Sequence, residues 1–410
     1  MTIALILFPF NQNLEPISYD MFYQLPIAGK SLLDRAIELS KTLQCEEIII
    51  LSEIKTKNLE NIPDDVIFTT FEEYNTENFH ETESYLVING NTVIGNSTIE
   101  KIGQIIQKHP GKLLSWFFQP HKDNYYSNFI STTEKDNNLT LIYNSDPKIP
   151  ESNLHAGLLY FGKTTQKMIL KEYLSIIFRK QNEYKIRLPD GIISQIIPEQ
   201  EIELITLPWQ SINANEKVMK DLKTNILGLV EEGVTIKGPI VVEKGAEILR
   251  GAYIKGPAYI SANASIGPNC FIRGSTYIGK NSHIGNAVEI KNTIIMDNTA
   301  VGHLSYIGDS ILGPSNNYGA GSKTANLAFH NTIIKMMVSN KRLPTGRRKM
   351  GIITGEKVKT GINVSLMPGV KLFSKAIVGA HVLLQKDLEE QMMFIYNLDN
   401  KLILKRHDFY

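Results

Sequence analysis

The sequence contains histidines, two cysteines and one basic stretch that could transfer protons, bind a metal or bind an anion. His303 carries an imidazole, which can take up or give back a proton near neutral pH. The two cysteines, Cys45 and Cys270, lie far apart and lack the spacing of zinc ligands. The stretch 341–349 is rich in Lys and Arg, which could bind an anion or could form an ordinary solvated loop. The chemistry open to these residues is proton transfer and anion binding, and we expect no metal site.

Length and composition bound the kind of protein that must position these residues. At 410 residues the chain exceeds the usual size of one hydrophobic core, so two domains are expected. Its 43 basic and 42 acidic residues nearly balance, which argues against nonspecific nucleic-acid binding through a basic surface. The scarcity of cysteine favours a reducing compartment, and no apolar run suits a signal peptide or a membrane span. We therefore expect a cytoplasmic protein with no nucleic-acid or membrane partner.

Residues 1–209 alternate short apolar runs with longer amphipathic stretches. The run Glu47–Ser52 is rich in isoleucine, as buried strands are, whereas Ser31–Leu43 has helical spacing. Strands that alternate with helices predict an α/β domain with a Rossmann-like, mostly parallel sheet. Residues 210–228 begin with a polar-capped helical pattern and are predicted to be a linker helix. Further strands are predicted at Ala4–Phe8, Ser84–Ile88, Lys112–Phe118, Leu139–Tyr143 and Gly157–Phe161.

Residues 229–410 follow a six-residue period instead. Apolar side chains recur at every sixth position from Ile236 to Met296, with small or turn-forming residues between them. The phase then slips by one residue at 301–307, and a second series runs from Ile352 to Leu388. Hexapeptide repeats are typical of a parallel β-helix, whose stacked coils share one apolar core. We predict that three hexads close each coil and that the helix is left-handed, an exception to the usual crossover hand.

Four segments of the second half carry recognisable motifs: Ile272–Gly274, Gly285–Lys291, Gly302–Asp309 and Asn317–Gly321. In order and spacing they resemble the two-domain sugar-1-phosphate nucleotidylyltransferases whose C-terminal left-handed β-helix is an acetyltransferase. The best-known member of this family makes UDP-N-acetylglucosamine. The stretch 346–364 is similar to the archaeal members in particular, and the resemblance extends over nearly the whole chain.

The resemblance implies a role for each matching residue. His303 aligns with the general base, which takes a proton from the sugar's amino group as that group attacks the acetyl thioester. A backbone N–H near Ala320 could stabilise the tetrahedral oxyanion. Because the family's sites form between neighbouring β-helices, a homotrimer is also implied. The residues assigned to the sugar phosphate are Arg273, Lys291, Tyr306 and Asn317, and those assigned to acetyl-CoA are Ala320, Asn326, Lys335, Gly361 and Ala380.

The coenzyme positions depart from the family at two places. Bacterial members have a tyrosine after Asn326, where this chain has Leu327. Where a lysine is usual this chain has Thr332, and Lys335 could compensate for it. Three other histidines of the second half are expected to be ordinary surface residues: His283, His330 and His381.

The first half departs much further from the family's nucleotide-binding pattern. The G-x-G-T-R loop, whose glycines and arginine hold phosphates, is replaced by residues 9–18, which contain neither glycine nor arginine. The metal-binding Asp of the family's G-D pair is replaced by Asn91, a far weaker Mg²⁺ ligand, although it could still touch a ligand. Residues 204–206 offer no second carboxylate. We expect very weak or absent nucleotidyl transfer, with Mg²⁺ needed only if this half is active.

Three hypotheses about function follow. The main one is an acetyl-CoA-dependent N-acetyltransferase of nucleotide-sugar synthesis, acting on a hexosamine 1-phosphate, with glucosamine 1-phosphate favoured. The second is a bifunctional enzyme that also makes UDP-N-acetylglucosamine or a related nucleotide sugar. The third is a non-catalytic regulatory or structural partner of an active nucleotidylyltransferase. Arg273, Lys291 and His303 speak against the third, because a pure scaffold has no need of a cationic pocket.

Overall fold

The computed structural model describes residues 1–410 except 10–11, 54–61, 75–78, 80–81, 121–123, 128, 136–137, 145, 147, 164, 166, 180–184, 190, 398 and 410. The chain divides into two units. The first comprises Met1–Asn13, Phe22–Gln24 and Ser31–Gln210. The second comprises Leu14–Met21, Leu25–Lys30 and Ser211–Tyr410. Two short segments that the sequence-based boundary placed in domain 1–209 therefore group with the second half of the chain.

The described helices and the strands of the first half have the following bounds. The helices are α1 (Tyr19–Tyr23), α2 (Leu32–Thr42), α3 (Asn96–Lys108), α4 (Lys167–Arg179) and α5 (Gln210–Met219), with 3-10 turns at Gln12–Leu14 and Glu199–Glu201. The strands are β1 (Thr2–Phe8), β2 (Pro26–Ile27), β3 (Lys30–Ser31), β4 (Glu47–Ser52), β5 (Val66–Thr70), β6 (Ser84–Asn89), β7 (Thr92–Ile94), β8 (Leu113–Phe118), β9 (Phe129–Lys135), β10 (Asn138–Asn144), β11 (Leu154–Phe161), β12 (Lys185–Arg187), β13 (Ile193–Ile196) and β14 (Ile202–Leu204).

The first unit is built around one mixed sheet. Strand β1 pairs in parallel with β4 on one side and β6 on the other, and β5 extends the parallel part beyond β4. Beyond β6 the successive pairs are antiparallel: β6 with β11, β11 with β9, β9 with β10, and β10 with β12. Strands buried on both faces read as continuous apolar runs, which is why β1 and β4 were recognisable in the sequence. The predicted α/β class is confirmed, and the parallel pairing is concentrated around β1.

Helices α2 and α5 show where sequence signals fixed an element and where they did not. The predicted helix at Ser31–Leu43 is α2, whose N-cap Ser31 accepts from the Asp34 N–H while Asp34 reaches back, forming a capping box. Helix α5 ends at Met219, well short of the predicted residue 228. Asn225–Ile226 already form the first strand of the second unit, so a linker helix over 210–228 is not what the chain adopts.

The second unit is a parallel β-helix of three sheets. Its described strands are β15 (Asn225–Ile226), β16 (Leu229–Val230), β17 (Thr235–Lys237), β18 (Ile240–Val242), β19 (Glu247–Ile248), β20 (Tyr253–Lys255), β21 (Ala258–Ile260), β22 (Ser265–Ile266), β23 (Phe271–Arg273), β24 (Thr276–Ile278), β25 (His283–Asn286), β26 (Glu289–Lys291), β27 (Ile294–Ile295), β28 (Ala300–His303), β29 (Tyr306–Gly308), β30 (Ile311–Leu312), β31 (Asn317–Tyr318), β32 (Lys323–Thr324), β33 (Lys335–Val338), β34 (Lys341–Pro344), β35 (Ile353–Thr354), β36 (Lys359–Thr360), β37 (Ser365–Leu366), β38 (Lys371–Leu372), β39 (Ile377–Val378), β40 (Leu383–Leu384), β41 (Met392–Tyr396) and β42 (Leu402–Arg406).

Strands three apart along the chain pair with each other, so that β15 pairs with β18, β16 with β19 and β17 with β20. Face 1 runs from β15 through β18 to β38, face 2 from β16 through β19 to β42, and face 3 from β17 through β20 to β40. The predicted parallel β-helix is confirmed, and its hand stays a prediction. In each coil the chain passes from face 1 to face 2 to face 3.

The core of the β-helix is a stack of isoleucines in register. Ile254, Ile272 and Ile290 pair on face 3 and are fully buried. The structure adds a second inward position two residues before each of them, held by small residues such as Ala252 and Cys270. Burial raises the pKa of the Cys270 thiol to about 11, so this cysteine behaves as a small core residue.

The phase slip falls one hexad earlier than predicted. Ile278 pairs with Ile295, one residue before Met296, so the turn after Lys291 is one residue shorter than those before it. The expectation that Met296 ends the series in register is therefore wrong. The series from Ile352 to Leu388 does lie in the core, as expected.

Asparagines form the turns at one corner of the three-sided β-helix, which we also call the prism. Asn263, Asn281 and Asn298 adopt φ values of 58°, 55° and 58°, which asparagine tolerates better than most residues. Their amides form a ladder, because Asn263 donates to Asn281 at 3.3 Å and Asn281 donates to Asn298 at 3.1 Å. The same side chains thus satisfy the turn and tie successive coils together.

One coil is interrupted by an excursion, which we call the hairpin loop (residues 325–349). Ile311 pairs with Ile353 and Asn317 with Lys359, so the stack resumes only after this loop. The loop carries the antiparallel hairpin formed by β33 and β34. It holds Asn326, Lys335 and the basic stretch that the sequence singled out.

Candidate active site

Face 3 brings the two cations assigned to the sugar phosphate onto adjacent coils. Arg273 and Lys291 are register partners at the ends of β23 and β26. Arg273 donates to Glu289 from Nε at 2.7 Å and from Nη2 at 2.6 Å. Lys291 Nζ lies 2.5 Å from Oδ2 of Asp309. Two charges of the same sign can stand this close because each has its own carboxylate.

Tyr306 and Asn326 join the same group. Asn326 Nδ2 donates to the Tyr306 hydroxyl at 3.0 Å and to Asp309 Oδ2 at 2.5 Å. Burial, followed by the negative charge of Asp309, raises the pKa of the Tyr306 phenol. The phenol therefore remains a neutral hydrogen-bonding group at physiological pH. A residue assigned to the coenzyme thus touches a residue assigned to the sugar phosphate.

Asp309 is the residue that sequence reasoning missed. Its side chain is only 2 % exposed and accepts from Asn326, from Lys291 and, at 3.0 Å, from Asn292 Nδ2. The guanidinium of Arg347 lies 3.9 Å from its other oxygen. The one signal available was its place at the end of the motif Gly302–Asp309.

His303 is the last residue of β28 and lies at the corner where this coil leaves face 2. Its carbonyl accepts from the Ser305 hydroxyl at 2.7 Å and from the Gly321 N–H at 3.0 Å, which fixes the backbone. The side chain is exposed, and in the part of the chain that the structure describes its ring has no hydrogen-bond or ion-pair partner. Leu304 follows with a φ of 50° and a side chain that is 63 % exposed. Within one chain, the imidazole belongs to this corner and not to the Arg273–Lys291 group.

Three coenzyme positions line up below His303 along the same edge. Gly321 donates to His303, and Asn363 donates to the carbonyl of Ala320 at 2.8 Å, so these coils are consecutive. A Cβ on Gly361 would come within 2.5 Å of the Ala380 nitrogen. The edge is therefore narrow and built from backbone rather than from side chains.

The two remaining site predictions lie apart from these groups. Asn317 is exposed on face 2, in register between Ala300 and Lys359. Lys335 is exposed at the start of β33, opposite Pro344, and belongs to neither group.

The basic stretch 341–349 does not act as one site. Arg347 is half-buried and held by structural contacts, because it donates to Glu216 at 2.6 Å and to Asn213 at 2.6 Å. Arg342 lines a separate cavity of about 810 Å³ together with Lys371 and Asp387. Arg348 and Lys349 are exposed. The sequence allowed two interpretations, a solvated loop and an anion site. Neither of them describes the whole stretch.

The first unit brings Asn91 next to the segment 204–206, the two places at which the resemblance puts the family's metal ligands. Asn91 Nδ2 donates to the carbonyl of Ile205 at 3.0 Å, and Ile205 N–H donates back to Asn91 O at 2.8 Å. The Asn91 Oδ1 atom is buried without a partner among the described residues. Two facing positions that offer one neutral amide and an isoleucine do not fit a Mg²⁺ ion.

Aromatic rings occupy the end of β1, where the phosphate loop of the family begins. Phe8 is fully buried and packs on Tyr23 with ring centroids 4.3 Å apart, and on Phe22 at 6.4 Å. A Cβ on Gly90 would lie 2.2 Å from the Phe8 ring, so the ring fills the space beside this strand end. Phe10 and Asn11 of the departing loop lie outside the described residues.

The described residues offer neither a metal-binding cluster nor a membrane-spanning helix. No group of three or more His, Cys, Asp or Glu side chains there is arranged to hold a metal ion. None of the helices in the same part of the chain has the length and apolar character needed to cross a membrane.

Comparison with known proteins agrees with the resemblance seen in the motifs. Residues 254–388 match the family described as the GMPPB C-terminal domain. The chain is 32 % identical over 400 residues to the Bifunctional protein GlmU of Methanocaldococcus jannaschii, covering 93 % of each chain. It is 35 % identical over 265 residues to the Bifunctional sugar-1-phosphate nucleotidylyltransferase/acetyltransferase of Sulfurisphaera tokodaii, covering 63 % of this chain and 65 % of that one. The chain is therefore a transferase that belongs to the family of bifunctional sugar-1-phosphate nucleotidylyltransferase/acetyltransferases.

Proposed function

We propose that this chain is an acetyl-CoA-dependent N-acetyltransferase that acts on a hexosamine 1-phosphate, with glucosamine 1-phosphate as the first choice. The observation that carries the proposal is the group formed by Arg273, Lys291 and Tyr306 of face 3, which Asn326 of the hairpin loop joins. A guanidinium and an ammonium on adjacent coils suit a dianionic phosphate, which the first can fork and the second can hold as a point charge.

The reaction requires a base for the amino group. The amine nitrogen attacks the thioester carbonyl, the N–C bond forms, and the C–S bond breaks as the coenzyme thiolate leaves. His303 accepts the proton that the nitrogen loses and returns it to the departing thiolate. The imidazole is accessible and its backbone is fixed by Ser305 and Gly321, which suits it to this role.

The backbone edge below His303 is the proposed acetyl-CoA track. Ala320, Gly361 and Ala380 present little side chain, so a long coenzyme can lie against backbone amides. One of these amides is positioned to donate to the oxyanion of the tetrahedral intermediate. Asn326 and Lys335 are proposed as polar contacts from the hairpin loop.

We propose that the acetyltransferase is a homotrimer in which a second copy covers the His303 edge. Large apolar side chains are exposed at this edge, Leu304 at 63 % and Ile362 at 50 %, and Phe329 of the hairpin loop is 94 % exposed. Exposed apolar side chains of this size are typical of an interaction surface. Phe329→Ser should shift the sedimentation coefficient toward that of a monomer and abolish acetylation, and a fully trimeric Phe329→Ser protein would contradict the assignment.

Nucleotidyl transfer is the second candidate, favoured by the names of the relatives. The Phe8 ring fills the space beside the end of β1, and Asn91 stands at the position of the family's metal-binding Asp, so we propose that this half turns over no nucleotide or very little. Incubation with each of the four nucleoside triphosphates, Mg²⁺ and a sugar 1-phosphate should release no pyrophosphate above background. Release with any one of them restores the bifunctional hypothesis.

The acetylation proposal is tested by following free thiol as coenzyme A is released. With glucosamine 1-phosphate and acetyl-CoA, His303→Ala should lower kcat by about 10²- to 10⁴-fold. His283→Ala is the matched control, since His283 is an exposed histidine on the same face. Equal rates for wild type and His303→Ala would end the proposal.

A further inference from the structure

Asp309 occupies a buried corner between face 3 and face 1. One carboxylate oxygen, Oδ2, lies 2.5 Å from Lys291 Nζ and 2.5 Å from Asn326 Nδ2. The other, Oδ1, accepts from Asn292 Nδ2 at 3.0 Å and faces Arg347 at 3.9 Å. A single buried anion therefore touches a cation of face 3 and an amide of the hairpin loop.

A second carboxylate fixes the far side of this network. Glu216 of α5 accepts from Asn292 Nδ2 at 2.6 Å and from Arg347 Nη2 at 2.6 Å. Arg347 also donates to Asn213 of the same helix at 2.6 Å. Because Arg347 belongs to the hairpin loop, α5 anchors the loop that supplies Asn326.

We propose that Asp309 is a positioning residue that couples the sugar-phosphate and coenzyme subsites of the acetyltransferase. The inference rests on the proposed function, which assigns Lys291 to the phosphate and Asn326 to the coenzyme. Because both groups bind the same oxygen, a movement of either one changes the acceptor geometry of the other. Buried charge-assisted networks of this kind respond as a unit, so removing one member disturbs the others.

Two substitutions separate the effect of the Asp309 charge from the effect of its position. Asp309→Asn keeps the volume and removes the charge that holds the Lys291 ammonium. Asp309→Glu keeps the charge and moves it by one methylene. Asp297→Asn is the matched control, because Asp297 is another carboxylate at a corner of the β-helix, but it accepts from the backbone N–H of Lys280 at 2.8 Å.

The experiment is a double-mutant cycle with Lys291→Met and Asn326→Ala, measured as kcat/KM for glucosamine 1-phosphate. In the wild-type background we expect the two changes to be non-additive by about 5- to 100-fold. In the Asp309→Asn background they should become additive, and Asp309→Glu should recover part of the coupling. In the Asp297→Asn background the full coupling should remain. Melting temperatures establish that each variant is folded, and if Asp309→Asn fails to fold, the Asp309→Glu cycle decides.

The outcomes separate the inference from the proposed function. An active wild type whose cycle is additive, or whose coupling persists in Asp309→Asn, overturns the role of Asp309 and leaves the acetyltransferase intact. If the wild type does not acetylate, the proposed function fails, and the same cycle is read from glucosamine 1-phosphate binding by calorimetry. Coupling in that measurement that disappears in Asp309→Asn supports the network, and no binding at all overturns it.

Discussion

A buried histidine in the first unit predicts how the stability of that unit depends on pH. His155 lies on β11, with the Phe117 ring edge-on at 5.5 Å. Its Nδ1 accepts from the Gly157 N–H at 3.1 Å, so the ring is neutral and carries its proton on Nε2. That Nε2 atom is buried and has no partner among the described residues. Burial lowers the pKa of the imidazole from 6.5 to about 3.

The sign and size of the effect follow from this shift. Between pH 3 and pH 6.5 the unfolded chain binds a proton that the folded unit excludes, so the free energy of unfolding rises with pH in that window. Above pH 6.5 the contribution is complete and the dependence is flat. Each pH unit inside the window changes the free energy of unfolding by about 1.4 kcal/mol. Going from pH 8 to pH 5 should therefore cost about 2 kcal/mol through His155 alone.

The chain provides its own reporter for this unit. Its 2 tryptophans, Trp116 and Trp209, both lie in the first unit and are buried, so their fluorescence follows its unfolding. Urea unfolding at pH 5 and pH 8 should show the loss in wild type, and His155→Gln, which cannot titrate, should remove about 2 kcal/mol of the difference. His109→Gln removes a solvent-accessible histidine of the same unit and is the control. An identical pH dependence in wild type and His155→Gln would refute the reasoning.

Three further predictions concern the β-helix. Ile272→Ala should lower the stability of the second unit by about 2–5 kcal/mol, because the side chain is fully buried in the core; a loss under about 1 kcal/mol in chemical denaturation would contradict this. Gly319→Ala places a Cβ 2.4 Å from the Gly361 carbonyl and should raise KM for acetyl-CoA while lowering the melting temperature; unchanged values of both would show that the edge yields freely. Arg347→Ala leaves Glu216 without its guanidinium and should destabilise the hairpin loop by about 1–3 kcal/mol, seen as faster tryptic cleavage within 325–349; an unchanged cleavage rate would mean that α5 does not anchor the loop.

The β-helix could be predicted from sequence because its signal is periodic and local. One inward side chain per hexad repeats often enough to fix the strands, the register and the isoleucine core. The slip at Ile295 could not be read, since Ile294, Ile295 and Met296 are adjacent apolar residues and any of them satisfies the pattern. The end of α5 was missed for a related reason. Its polar residues continue past Met219 without a stop signal, whereas the first strands of the prism are very short.

In the candidate site, too, the residues within the repeat could be predicted, and the contacts from outside the repeat could not. Residues that lie in strands or at corners, such as Arg273, Lys291 and His303, sit at fixed offsets in the repeat and could be assigned by motif. The contacts around Asp309 could not, because Asn326 and Arg347 come from the hairpin loop and Glu216 from a helix about 90 positions earlier. Nothing in the hexad pattern states where such segments return to the prism. In the first unit the loss of Gly and Arg was visible in the sequence, but the ring of Phe8 against Gly90 was not.

The strand pair β41–β42 has a consequence for how copies can associate. A solenoid that stops abruptly leaves open backbone donors and acceptors at its last rung, which invites another molecule to continue the ladder. On face 2 that rung is β41, and β42 folds back on it in antiparallel register, with Lys405 and Arg406 exposed along the outer margin. Any strand that added to face 2 beyond β42 would therefore meet these positive charges first.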